Sequence, residues 1–240
     1  MDVKEEDILG SGIYSHWYYV SKGRALRQFI RGIKTVGMLD IGAGSGIFSR
    51  QLLDAGICDT ATCVDPAYAE ERVENHNGKD IQFVRSVEQS PHKLILMMDV
   101  LEHVDDDVGL LRQYSDTMPR DGHVLISVPA FQFLWSGHDE FLEHRRRYTR
   151  ETITRVVRDA GLHVVQCRYF FGLLFPLVAA IRLRGKNRLK DGRYEPQSDL
   201  RMHSTQLNTG LILIHDIERV TLFPFNRFAG LTVFCLARPI

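Results

Sequence analysis

An α/β chain with a doubly wound, mostly parallel sheet of seven strands is what this sequence predicts, and three observations predict it. Apolar runs alternate with helical patterns from residue 36 to residue 161, as when parallel strands are joined by crossover helices. One run, Met38-Leu39-Asp40-Ile41, leads into Gly42-Ala43-Gly44-Ser45-Gly46 and then an amphipathic stretch over 47–55. A strand, a glycine loop and a helix in that order hold a ligand at the helix N-terminus. A second apolar run, Ala61-Thr62-Cys63-Val64, ends in Asp65. In doubly wound folds an acid at that point takes ribose hydroxyls.

The elements follow in order. Residues 12–33 carry a helical pattern with Tyr14, Trp17, Tyr18 and Tyr19, and residues 1–33 are expected to form an N-terminal cap, as a lid over the site or as packing across the sheet edge. Strands are expected at 36–41, 61–65, 81–85, 93–98 and 122–128, with helices near 46–55, 68–76, 105–118 and 149–160. The last helix is well marked. Thr149 caps it, Ile153, Val156, Val157 and Ala160 share one face, and Gly161 stops it. A sixth strand is expected at 162–170 and a seventh at 231–238. Between them lies a long insertion, 171–226. It starts apolar, turns basic at Arg182, Arg184, Lys186, Arg188, Lys190 and Arg193, and ends in a second apolar helical stretch that Ser204 can cap.

Composition bounds the reading. A chain of 240 residues suits one domain with additions. Thirty basic and thirty acidic side chains cancel, so nothing points to nucleic acid. Cys58, Cys63, Cys167 and Cys235 form no C-x-x-C pair and read as reduced, buried thiols. The acidic start lacks the basic and apolar regions of a signal peptide. The longest apolar run, 169–183, is broken by Gly172 and Pro176, so no membrane span is expected. The expected location is cytoplasmic, with the inner membrane face as an alternative.

The glycine spacing, Gly42-x-Gly44-x-Gly46 with Asp40 before it, resembles the first motif of class I S-adenosylmethionine-dependent methyltransferases. Glycine permits positive φ and close backbone approach to a ligand. Later segments resemble the same family in the same order. Asp65 stands at the ribose position. Arg85 or Ser86, after the third strand, stands where the adenine edge is covered. Met98-Asp99-Val100-Leu101-Glu102-His103 resembles the segment after the fourth strand, where Met98 and Asp99 would border the methionine part of the donor. Met118-Pro119-Arg120-Asp121-Gly122 resembles the turn before the fifth strand. The resemblance implies S-adenosylmethionine as cofactor, held by Asp40, Gly42, Gly44, Gly46, Asp65, Arg85, Ser86, Met98 and Asp99. Glu102-His103 is expected to shape its loop rather than do chemistry.

Two outer segments resemble a bacterial methyltransferase subfamily: His16-Trp17-Tyr18-Tyr19 with Arg24, and the block from Pro129 through Trp135-Ser136-Gly137-His138-Asp139 to His144-Arg145-Arg146-Arg147-Tyr148-Thr149. Residues 130–148 follow the fifth strand and so face the donor methyl. His138 or His144 is expected to take the acceptor proton. Trp17, Tyr19, Trp135, Asp139, Arg146 and Tyr148 are expected to bind the acceptor, and the three arginines suit an anionic group. No metal site is expected, because His138 and His144 are not spaced as H-E-x-x-H. Tyr18-x-x-x-Lys22 satisfies the short-chain dehydrogenase pair but lies before the glycine loop, so it is set aside.

The sequence therefore leads to a methyltransferase acting on an O or N atom of a small-molecule or lipid-linked acceptor. Two rivals stand beside it: an NAD(P)-dependent oxidoreductase, and a donor-binding scaffold subunit without catalysis. Apolar surface beside basic residues in 171–223 suits peripheral membrane contact. The competing expectations are helices packed on each other and on the sheet with a solvated basic loop between them, a lid over the site, or a homodimer surface.

Overall fold

Eight strands form the sheet of the computed structural model, which describes residues 5, 8–88, 91–190 and 197–240. After a 3-10 turn at Gly10–Tyr14 comes α1 (Trp17–Phe29), then β1 (Gly37–Ile41), α2 (Ile47–Asp54), β2 (Thr60–Val64), β3 (Arg72–His76), β4 (Lys79–Val84) and β5 (Leu94–Met98). They are followed by α3 (Asp107–Ser115), β6 (His123–Pro129), α4 (Gly137–Phe141), α5 (Arg150–Asp159), β7 (Leu162–Phe170), α6 (Phe175–Lys190), α7 (Thr205–Thr221) and β8 (Thr232–Pro239).

The strand order is β3-β4-β2-β1-β5-β6-β8-β7. Pairing is parallel from β4 through β6. It is antiparallel at β3 and on both sides of β8. The order reverses at β1, which lies between β2 and β5, so a ligand crevice is expected beyond the carboxyl ends of these strands. Met38 faces the hydrophobic cluster shared with α1 and α2, whereas Leu39 faces the cluster shared with α3 and α5. Period-two alternation in a strand covered on both faces gives this division.

The helix expected at 68–76 is absent, and its last five residues are β3. Asn77-Gly78 accounts for this. Both residues take positive φ, 53° and 83°, as a two-residue hairpin turn requires. The turn folds β3 back on β4, pairing His76 with Lys79 and Glu74 with Ile81. This hairpin is the additional strand.

The N-terminal helix and the insertion lie together. Trp17 N donates to Asn208 Oδ1 at 2.8 Å, Gln28 Nε2 donates to Arg219 O at 2.9 Å, and Arg24 pairs with Asp216. Within the insertion, buried Glu218 accepts from Gly172 N at 2.6 Å, Leu173 N at 3.4 Å and His215 Nδ1 at 3.1 Å. That ties α7 to the turn between β7 and α6. Phe171 and Phe223 enter the core, but Leu177, Leu213, Ile217 and Val220 stay exposed. Of the basic run, Arg193 and the side chains of Lys186, Arg188 and Lys190 lie outside the described residues. No described helix is long and apolar enough to cross a membrane.

Candidate active site

Gly42, Gly44 and Gly46 all take left-handed φ, from 52° to 70°, and so turn β1 into α2 over five residues. Gly46 is also needed for space. A Cβ there would stand 3.1 Å from the Phe83 ring and 3.3 Å from Cys63 Sγ. The loop is stitched to the end of β2: Gly42 N donates to Val64 O at 2.7 Å, and Tyr68 OH donates to Gly44 O at 2.6 Å.

Asp65 is largely buried at that strand end. One carboxylate oxygen accepts from Gly44 N at 3.2 Å and the other from Ala67 N at 3.0 Å. Two contacts leave about half of a carboxylate's acceptor sites for ribose hydroxyls. Ser45 Oγ is buried in the loop without a hydrogen-bond partner among the described residues. A tight glycine turn, an oriented acid and an orphaned hydroxyl fit a nucleoside donor such as S-adenosylmethionine.

Not every predicted donor residue turns toward this crevice. Asp40 is buried behind the loop, where Ser49 Oγ donates to it at 2.7 Å. Burial pushes its carboxyl up to about 6, while the serine hydrogen bond opposes the shift. It braces α2 beneath the loop. Met98 is buried in the core cluster of α1 and α2. Arg85 donates to Tyr68 O at 2.8 Å and to Ala69 O, and it is exposed, as is Ser86.

Asp99 is placed differently. It directly follows β5 with φ 57°, and its carboxylate takes Lys22 and Tyr18 OH on one oxygen and Ser127 Oγ, at 3.1 Å, on the other. Burial favours its protonation, but the Lys22 ammonium outweighs this and holds the group below its ordinary range. Lys22 comes from α1, one turn after Tyr18. The Tyr18-x-x-x-Lys22 spacing set aside as a dehydrogenase pair in fact puts both side chains on one helix face, aimed at Asp99.

Beside Asp99 opens a cavity of about 370 Å³, a size suited to a small ligand. Its wall includes Trp17 and Tyr18, then Asp99, Glu102 and His103, then His138 and His144, with Leu174 and, from α6, Val178 and Arg182. Two predicted histidines thus meet the N-terminal cap and the insertion in one chamber. Their states differ. His138 Nδ1 accepts from Asp199 N at 3.1 Å, and burial pulls its pKa down to about 4, so it is a weak proton acceptor. His144 Nδ1 donates to Asp139 Oδ1 at 2.9 Å, which leaves the lone pair on Nε2.

Asp139 is itself buried and gripped by Arg147 through Nε at 2.7 Å and Nη2 at 3.0 Å. Burial acts against its charge, but the His144 and Arg147 hydrogen bonds hold its pKa far below the ordinary range. Asp139 therefore orients His144 from behind the wall. Tyr19 stands one layer back, donating to Glu5 at 2.8 Å.

Three predicted acceptor residues stand away from the chamber. Arg146 is tied to Asp107 and to the carbonyls of Val104 and Asp105. Tyr148 OH donates to Asp107 at 2.8 Å and Leu101 O at 3.0 Å. Trp135 is not among the lining residues. Arg145 pairs with Asp105 and Arg147 with Asp139, so the arginine run holds the loop together.

Comparison with known proteins bears on this geometry. A family model described as a methyltransferase domain matches residues 23–167. A ubiquinone biosynthesis O-methyltransferase of Yersinia enterocolitica is 29% identical over 116 residues, covering 40% of this chain and 44% of that protein. The chain thus spans under half the length of the curated relative it matches. Among solved structures, phosphoethanolamine N-methyltransferase 2 of Haemonchus contortus in complex with S-adenosyl-L-methionine is similar at TM-score 0.54 and 18% identity, over 95% of this chain and 57% of that one. A SAM-dependent methyltransferase of Archaeoglobus fulgidus is similar at TM-score 0.53 and 17% identity, over 90% and 92% of the two chains. The structural likenesses carry the fold.

Proposed function

The chain belongs to the methyltransferase-domain family, and on that premise we propose that it moves the methyl group of S-adenosylmethionine to an O or N atom of a small acceptor held in the 370 Å³ cavity. The observation that carries this is the adjacency of two sites. Asp99 directly follows the strand beside the glycine-loop strand and also lines the acceptor cavity.

The Gly42–Gly46 loop and Asp65 would hold the donor, which supplies an electrophilic methyl on a sulfonium. The protein's task is then alignment and exclusion of water. The α1 cap and α6 cover the chamber for that purpose. His144, with its tautomer set by Asp139, presents Nε2 to the acceptor and is the group we assign to its activation. His138 serves as wall.

The mouth of the chamber favours an acceptor with an apolar part, including a lipid-linked one. Ile181 lines the cavity yet exposes 60% of its surface, and Leu177 on the same helix exposes 59%. Binding to anionic vesicles at low salt, read by co-sedimentation, tests the lipid-linked form. Absence of binding restricts the acceptor to free small molecules.

Transfer itself is tested with methyl-labelled S-adenosylmethionine and cell extract, with products read by mass. His144→Gln should lower turnover roughly 10²–10⁴-fold and leave S-adenosylhomocysteine affinity within about twofold. His138→Gln should cost far less. Donor binding without any transfer would favour the scaffold reading.

A further inference from the structure

Glu102 is fully buried, and neither carboxylate oxygen has a hydrogen-bond partner among the described residues. Such a group costs several kcal/mol unless something meets it. Its neighbours are metal-binding in kind. One ligand atom each from Glu102, His103 and His144 lies within 4.8 Å of the others, and all three side chains line the acceptor cavity.

The backbone brings these residues together. Arg145 N donates to Glu102 O at 2.7 Å and Arg145 Nε to His103 O at 2.8 Å, which clasps the loop carrying His144 onto the turn after β5. The His103 and His144 rings meet edge to face with centroids 4.8 Å apart. Asp139 takes the Nδ1 hydrogen of His144 and so fixes Nε2 as the free donor. Carboxylate-backed histidines of this kind are the usual support of metal ligands.

We propose that Glu102, His103 and His144 bind a divalent transition-metal ion, of the class of Zn²⁺, Co²⁺ or Mn²⁺, in the wall of the acceptor cavity. Two imidazoles and one carboxylate suit these ions and leave coordination positions open. Ligand bonds of about 2.0–2.2 Å require the three side chains to close by about an ångström. The ion's open positions face the chamber, where an acceptor hydroxyl can bind.

The consequence for transfer rests on the methyltransferase reading. With the ion bound, His144 Nε2 is a ligand and acts on the acceptor through the ion instead of taking its proton directly: the acceptor O–H, bound at the ion, loses its proton to water. An oxygen electron pair then forms the new bond to the donor methyl carbon. The S–CH₃ bond breaks with its pair staying on sulfur, which becomes a neutral thioether. The ion keeps its oxidation state.

The test is metal binding by the full chain, independent of turnover. The chelator-stripped protein is titrated with Co²⁺ alone, read by its visible d–d absorption, and with Zn²⁺ by competition. S-adenosylhomocysteine affinity is read calorimetrically on the same samples. One Co²⁺ per chain is expected in the wild type. Glu102→Gln and His103→Asn, each checked for a cooperative melt, should weaken it at least 100-fold, and His163→Ala should not. No stoichiometric binding by the wild type, or undiminished binding in both variants, overturns the proposal. If Co²⁺ binds as expected but S-adenosylhomocysteine does not, the metal site stands and the methyltransferase reading falls instead.

Discussion

Asp40, the acid before the glycine loop, has its carboxylate buried and accepts from Ser49 Oγ at 2.7 Å. Its carboxyl, raised from its ordinary 3.8 to about 6 by burial, holds a proton in the folded chain that the unfolded chain releases at lower pH. This group's contribution is therefore fully present below about pH 4 and is lost as the pH rises toward 6. The shift corresponds to about 3 kcal/mol. Asp40→Asn keeps an acceptor for Ser49 and removes the titration. Relative to the wild type, its stability in urea titrations should rise progressively from pH 4 to pH 7; a difference independent of pH would refute this. Asp139→Ala should act in the opposite sense. It leaves Arg147 buried without its partner, at a cost of about 3–5 kcal/mol. At this scale the sequence was better at placing residues than at naming their partners. Asp65 stands at the end of β2 beside Gly44, as its motif position implies, and His144 lines the cavity. The employment of Arg146 and Tyr148 was not legible, since their partners Asp107 and Val104 lie some forty residues earlier in the chain. Glu102 and His103 were legible as a motif, but their meeting with His144 depends on the same clasp.

Elements were most legible where local chemistry was strong. Thr149 caps α5 as expected, through Thr152 N at 3.2 Å, and the helix ends beside Gly161. At 68–76 spacing alone predicts a helix, but Asn77-Gly78, a strong local hairpin signal, overrides it. Replacing Gly78 with Val, where φ is 83°, should strain that turn and lower stability by about 1–2 kcal/mol, with α5 and the acceptor chamber unaffected. The insertion hangs on a different device. Glu218 satisfies two backbone N–H groups and His215, so Glu218→Ala should cost about 3 kcal/mol or more. Urea denaturation measures it. A cost under about 0.5 kcal/mol would mean that apolar packing alone seats α7.

Across the whole molecule, the strand order reverses beside the glycine loop, where we place the donor, and the cap and insertion wall the neighbouring chamber, where we place the acceptor. Sequence patterning foresaw the sheet because its periodicity is local and strong. It could not foresee the chamber, whose walls are drawn from both ends of the chain and from the loops after β5 and β6. The two sites meet at Asp99, held by Lys22 from the cap. Calorimetric titration with S-adenosylhomocysteine tests this arrangement most directly, in the wild type and in Asp65→Ala. The wild type should bind one equivalent. Asp65→Ala should bind at least about tenfold more weakly, because each hydrogen bond to the carboxylate is worth about 1.5–3 kcal/mol. Wild-type binding of NADH in place of S-adenosylhomocysteine, or unchanged affinity in Asp65→Ala, would contradict it.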